Sequence, residues 1–226
     1  MALILNIETA TTNCSVSIAK EGKMLAIKEH DTPNYSHSEQ LHVFIEEIAK
    51  KAAISLSELD AIAVSKGPGS YTGLRIGVSA AKGLCFSLDI PLISIATLKS
   101  MAFQAKAAKV DFVIPVLDAR RMEVYAHVFD TNLNTIRETK ADIIDAESYA
   151  EYTQKGKVLL VGNGAEKCQA ILEHNSFSFD TTIVPSAAEM AILSFEKYKK
   201  ENFEDVAYFE PYYLKDFIAL KKKAKI

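Results

Sequence analysis

The chain has 226 residues, 49% of them hydrophobic and 24% charged, with a net charge of −3. This composition specifies a packed globular protein of one large domain or two small ones, and it argues against a generally basic nucleic-acid coat. Cys14, Cys85 and Cys168 lie far apart with no C-x-x-C pair, which fits a reducing cytoplasm and excludes a disulfide framework or a zinc knuckle.

Residues 3–7 form an apolar run that reads as a buried strand. The start, 1–8, is too short and too poor in basic residues for a signal peptide, and none is expected. No apolar run approaches the length of a membrane span. A polar turn, Glu8-Thr9-Ala10-Thr11-Thr12-Asn13, leads to a second strand over 14–19 and a third over 24–30. Residues 37–52 are helical, with Leu41, Phe44, Ile45, Ile48 and Ala52 recurring at helix spacing. A strand over 61–64 then enters the loop Ser65-Lys66-Gly67-Pro68-Gly69-Ser70-Tyr71-Thr72-Gly73, and a helix over 72–88 leaves it. A strand over 91–95 and a helix over 98–108 complete the first half.

The second half begins near Val110, and the expected division is 1–109 and 110–226. Strands are expected over 112–117, 122–129 and 135–140, a helix over 145–154, a strand over 157–161, and helices over 165–173 and 186–199. An acid follows the first strand of each half, Glu8 and Asp118. The element order β-β-β-α-β-α thus occurs twice, which is similar to the actin-like (ribonuclease-H-like) ATPase fold. The fold class is α/β, two actin-like units with the second reduced.

The loop 65–73 admits two uses. Glycines let a backbone approach a phosphate or another chain closely, and the following helix start suits an anion. The spacing excludes a P-loop, because no Gly-Lys-Ser/Thr follows Gly67 at the required distance. A Rossmann fingerprint fails too: its third Gly would stand at Thr72, and no acid ends the strand 91–95. Ser70 lacks the flanking glycines of a hydrolase elbow, since Pro68 and Thr72 fill those places. The histidines, His30, His37, His42, His127 and His174, read as surface or capping residues, because even the tightest pair has the wrong helical spacing for shared ligation. The helix 72–88 carries Gly73, Gly77 and Gly83, each costing about 1 kcal/mol relative to Ala, which points to close packing by a neighbour.

Several stretches resemble the TsaB (YeaZ-like) family of bacterial tRNA threonylcarbamoyladenosine biosynthesis. They are Ile4-Leu5-Asn6-Ile7-Glu8-Thr9-Ala10-Thr11, Tyr35-Ser36-His37-Ser38-Glu39-Gln40-Leu41 and, most specifically, Gly67 to Gly77 with Ala81-Lys82-Gly83-Leu84. Ile90-Pro91-Leu92-Ile93, Ala96-Thr97-Leu98 and the tail Pro211-Tyr212-Tyr213-Leu214 extend the likeness, with Lys215 where the family usually has Arg. The resemblance implies a non-catalytic subunit that binds and stabilises TsaD, with TsaE and ATP joining the pair, so that adenosine 37 of tRNAs reading ANN codons is modified. It implies no cofactor on this chain alone, ATP or ADP only at the assembled complex, a homodimer without TsaD, and tRNA met only through the complex. Thr97 and Met101 stand where TsaD carries a metal-binding His pair, so neither metal nor catalytic residues are expected here.

The sites expected on this basis are two. Glu8, Thr9, Thr11, Thr12, Gly67, Gly69, Ser70, Thr72 and Gly73 form a vestigial phosphate or nucleotide turn, with Glu8 capping its own turn through Thr9 or Thr11. Leu41, Ile45, Ile48, Leu74, Arg75, Gly77, Val78, Ala81 and Leu84 form a subunit interface in which helices 37–52 and 72–88 meet the matching pair of a partner. The basic run Lys221-Lys222-Lys223-Ala224-Lys225 reads as a solvated end. The alternative reading is a stand-alone nucleotide-binding actin-like phosphotransferase or ATPase. It would require a second phosphate turn, and Asp118-Ala119-Arg120-Arg121 offers bulky arginines there.

Overall fold

A computed structural model describes residues 1–32 and 36–215. Tyr35 and the run 221–225 lie outside the described residues. Two five-stranded sheets carry the chain. In the first, β1 (Leu3–Glu8), β2 (Asn13–Lys20) and β3 (Lys23–Asp31) pair antiparallel, while β4 (Ala61–Gly67) and β5 (Leu92–Ala96) join β1 in parallel. The order is β3-β2-β1-β4-β5. The second sheet, from β6 (Phe112–Asp118), β7 (Glu123–Asp130), β8 (Thr135–Ile143), β9 (Val158–Val161) and β10 (Phe177–Asp180), repeats it as β8-β7-β6-β9-β10. Both units are therefore of the actin-like α/β type expected.

Strand periodicity sorts the first sheet into two faces. Leu5, Ile7, Val16, Ile18, Ile62 and Val64 meet the apolar sides of α1 (His37–Ala52) and α2 (Tyr71–Leu88). Ile4, Ala61, Ala63, Ile93 and Ile95 meet α6 (Ala187–Tyr198) on the other face. Between the halves lies α3 (Thr97–Gln104), whose Leu98, Met101 and Ala102 pack on Val113, Leu117 and Phe129 of the second sheet. Each half thus lends a helix to the other. The division expected at 109 and 110 assigns α6 to the second unit, yet Asn13 and Ser17 donate to the carbonyls of Pro185 and Ala187, and Ser194 donates to Asn6 Oδ1 at 2.7 Å.

The second unit departs from expectation in its helices. Its sheet is complete, and β10 was not read from sequence because Phe177-Ser178-Phe179-Asp180 is too short to establish a period. What is reduced is the cover. The helix expected over 145–154 is only α4 (Ala150–Thr153), because Asp145 and Ser148 close a turn and Tyr149 enters the left-handed region at φ 65°. The next, α5, spans only Ala165–Gln169. No helix among the described residues is long and apolar enough to cross a membrane.

Candidate functional site

The turn after β1 and the loop after β4 are built into one another. Ser70 N–H donates to the Ala10 carbonyl at 2.7 Å, and Thr9 Oγ1 donates to the Gly73 carbonyl at 2.8 Å. A Cβ on Gly69 would overlap the Ala10 carbonyl, one on Gly73 the Thr9 carbonyl, and one on Gly77 the Thr9 hydroxyl. Of the two uses of the glycines, close packing is therefore the one observed. Ser70 caps α2 by accepting from Gly73 N–H at 3.2 Å. His37 Nε2 lies 2.7 Å from the Thr11 carbonyl and must donate to it. Of the histidines read as surface or capping residues, His37 and His127 are buried, and burial lowers both their pKa values.

Glu8 caps its own turn as expected, through the Thr9 N–H and, in addition, through Ala10, which was not expected. Its Oε1 accepts from Ala10 N–H at 2.6 Å. The carboxyl is fully buried, and desolvation pushes its pKa up to about 7 against the pull of Ala10 N–H, the Ser65 hydroxyl and Thr9 N–H. Thr12 bonds Asp31 at 2.6 Å. Thr11 is only 8% exposed. Its Oγ1 has no hydrogen-bond partner among the described residues.

A cleft of about 630 Å³ separates this assembly from the second unit. Ala10, Thr11, Thr12, Gly69, Ser70 and Thr72 form one wall. Asp118, Ala119, Arg120 and Asn163 form the other. The second turn is also committed internally. Asp118 Oδ1 accepts from Lys167 Nζ at 2.5 Å and from Arg120 N–H at 2.7 Å. Lys167 also holds the carbonyls of Arg121 and Glu123. Arg120 and Arg121 stand at φ 70° and 50°, which puts two bulky residues where a phosphate would have to approach. The first loop spends its glycines on packing, and the second acid is bound to a lysine. Thr97 and Met101 are buried, Thr97 Oγ1 lying 2.7 Å from Ser65 Oγ and Met101 in the inter-sheet core. Among the described residues no group of three His, Cys, Asp or Glu side chains is placed to hold a metal.

The expected interface set needs correction. Leu41, Ile45, Ile48, Leu74, Gly77, Val78 and Ala81 are buried against their own sheet or turn. Their helix-spaced apolarity marks the core face of each helix, not the face a partner would see. Arg75 and Leu84 do reach the surface, in a groove of about 660 Å³ lined also by His42, Tyr71, Ile76, Ala80 and Gly83. A Cβ on Gly83 would meet nothing within 4 Å. Phe86, one turn on, is 85% exposed.

A C-terminal strap, residues 204–215, escaped sequence reasoning. Lys82 Nζ holds the carbonyls of Ala207 and Phe209 at 3.1 and 3.0 Å. Tyr212 N–H donates to the Lys66 carbonyl at 2.7 Å, and the Tyr212 carbonyl would lie 2.9 Å from a Cβ on Gly67, whose φ is 105°. The loop and tail motifs therefore touch each other. The signal lay in both being specific stretches, but nothing in the sequence linked them.

Residues 33–223 match the family model described as TsaD, tRNA N6-adenosine threonylcarbamoyltransferase. The tRNA threonylcarbamoyladenosine biosynthesis protein TsaB of Escherichia coli is 29% identical over 97% of this chain and 97% of its own. The tRNA N6-adenosine threonylcarbamoyltransferase of Bacillus subtilis is 33% identical over 50% of this chain and 37% of its own length. Among solved structures, YeaZ from Pseudomonas aeruginosa superposes with a TM-score of 0.81 at 23% identity, over 95% of this chain and 100% of that one, a likeness of fold.

Proposed function

This chain belongs to the TsaB (YeaZ) branch of the TsaD family, and on that premise we propose that it serves tRNA threonylcarbamoyladenosine biosynthesis as a non-catalytic subunit. Its task is to bind and stabilise TsaD, which modifies adenosine 37 of tRNAs reading ANN codons. TsaE and ATP join the assembled pair, and tRNA is met through the complex. In the absence of TsaD a second copy of the chain takes the same face.

The observation that carries this reading is the outward side of α1 and α2. Ile76, Ala80 and Leu84 line an open groove around Gly83, with Phe86 projecting beside it. An apolar recess of this kind on a surface helix pair suits a partner's helices. Two internally bonded turns support the absence of chemistry on this chain. A subunit without catalytic groups governs a reaction by stabilising its partner's competent state.

Reconstitution with TsaD, TsaE, the adenylate-forming enzyme and tRNA tests it. Modification should stop when the chain is omitted and should fall at least tenfold with Gly83→Arg, which fills the groove without touching the core. Sustained modification without the chain, or normal modification and co-elution with that variant, overturns the role or the face. ATP turnover by the isolated chain above roughly one per second would reinstate the phosphotransferase reading.

A further inference from the structure

The α1/α2 groove and the inter-unit cleft are separate recesses, yet Tyr71 and Thr72 line both. On the groove side, Arg75 Nη1 donates to the Tyr71 hydroxyl at 2.8 Å, and its guanidinium stands 5.4 Å from the ring centroid. On the cleft side, the same ring lies 5.0 Å from the ring of Tyr213.

Tyr213 belongs to the strap, whose fastenings run from one unit to the other. Lys82 holds its start on α2 and Lys66 holds Tyr212 at the loop. Lys215 pairs with Glu123 of β7, across the cleft. Val206 and Phe209 root its first half on the first unit's core, but beyond them the strap has little core of its own: Tyr212 and Tyr213 are 43% and 37% exposed. A segment held by a few peripheral bonds with little buried apolar area opens at low free energy.

We infer that the strap is a latch over the cleft and that Tyr71 couples it to the groove. Arg75 holds the Tyr71 ring in the pose that receives Tyr213. An occupant that draws Arg75 away binds the unlatched form better, and this differential contact shifts the equilibrium. That the occupant is TsaD rests on the docking proposed above; the Arg75–Tyr71–Tyr213 coupling stands on this chain's own contacts.

Hydrogen exchange on the full chain alone tests the coupling. Tyr71→Leu should accelerate exchange over 208–215 by about three- to tenfold, the equivalent of one aromatic pair. Arg75→Ala should act in the same direction and Tyr71→Phe should act least, with α2 beyond residue 76 unchanged. A thiol introduced by Ala119→Cys in the cleft wall should label faster in the first two variants, since the native cysteines are buried. Unchanged exchange and labelling in Tyr71→Leu overturns the latch. Adding TsaD to the wild type separates the two proposals. Co-elution with faster exchange over 208–215 supports both, and co-elution without it overturns the coupling. Failure to co-elute overturns the docking and leaves the coupling decided by the variants.

Discussion

The two units share one strand order and differ in what covers it. On the face opposite α6 the first is covered by helices of 16 and 18 residues, and on the face opposite α3 the second by helices of 4 and 5. A long amphipathic helix has two faces, so α1 and α2 can bury Leu41, Ile45 and Leu74 and still present a groove outside. A one-turn helix has no such second face. The second unit instead closes its surface with a polar cluster, where Asp142 receives the Tyr149 hydroxyl at 2.9 Å and pairs with Arg137. The sheet thus sets the fold in both, whereas helix length decides which unit carries an outward helical groove.

The comparison breaks most sharply at the glycines. Gly73 abuts the Thr9 carbonyl, a backbone atom fixed by the hydrogen bonds around β1. Gly73→Val should cost more than about 3 kcal/mol, beyond ordinary overpacking, or prevent folding. In the second unit Gly162 is also confined, a Cβ there falling 2.5 Å from the Val116 carbonyl, but Gly164 has its nearest neighbours at 3.1 and 3.2 Å, and Gly164→Ala should cost only about 1 kcal/mol. Urea midpoints read both. Equal losses would mean that Gly73 is no more tightly enclosed than Gly164.

The acids that end the first strand of each unit give the next largest contrast. Glu8 is buried, while Asp118 is exposed and paired with Lys167. Burial pushes the folded Glu8 carboxyl up to about 7 from an ordinary value of 4.5. A raised carboxyl stabilises the fold fully below 4.5, and that contribution is lost as pH rises through about 7. Wild type should therefore lose about 3 kcal/mol relative to Glu8→Gln between pH 4.5 and 8. His37 and His127 act in the opposite sense, since their lowered folded values cost stability as pH falls below 6.5. They are common to both proteins, so the difference between wild type and variant isolates Glu8. A flat difference across this range refutes the assignment.

The polar cluster of the second unit sharpens the comparison from the other side. Asp142→Ala leaves Tyr149 and the half-buried Arg137 without their shared acceptor. The loss should be about 2 kcal/mol, read by thermal or urea unfolding, with binding to TsaD at the first unit unaltered.

Much of this division was legible in residue patterns. Short apolar runs bounded by polar turns gave the strands of the first unit, and the spacing of Leu41, Phe44, Ile45 and Ile48 gave α1. The pattern could not say which apolar residues faced the core and which the outer groove, because Leu74 and Leu84 look alike in a string and differ only in the sheet beneath them. The role of the glycines was equally hidden, since a phosphate and the Thr9 carbonyl impose the same absence of Cβ. The strap was invisible for a different reason: Lys66 and Tyr212 are joined by one backbone hydrogen bond, which leaves no side-chain signature. Exchange of α3 and α6 between the sheets likewise depends on contacts far apart in the chain.

The smallest predicted effect isolates the groove from the core. Gly77 and Gly83 lie six residues apart on α2, one against Thr9 and the other facing open space. Within a helix Gly is less favourable than Ala by about 1 kcal/mol, because it loses more backbone freedom on folding. At Gly77 the overlap with the Thr9 hydroxyl opposes that gain. At Gly83 nothing opposes it. Gly83→Ala should therefore stabilise the isolated chain by about 0.5–1 kcal/mol, raising its urea midpoint, whereas Gly77→Ala should lower it. If the Gly83 backbone is approached closely by TsaD, the same added methyl should weaken the complex even as it strengthens the monomer. Opposite signs in unfolding and co-elution would mark Gly83 as a residue kept for contact rather than for folding. A gain in both would move the contact away from this turn of α2.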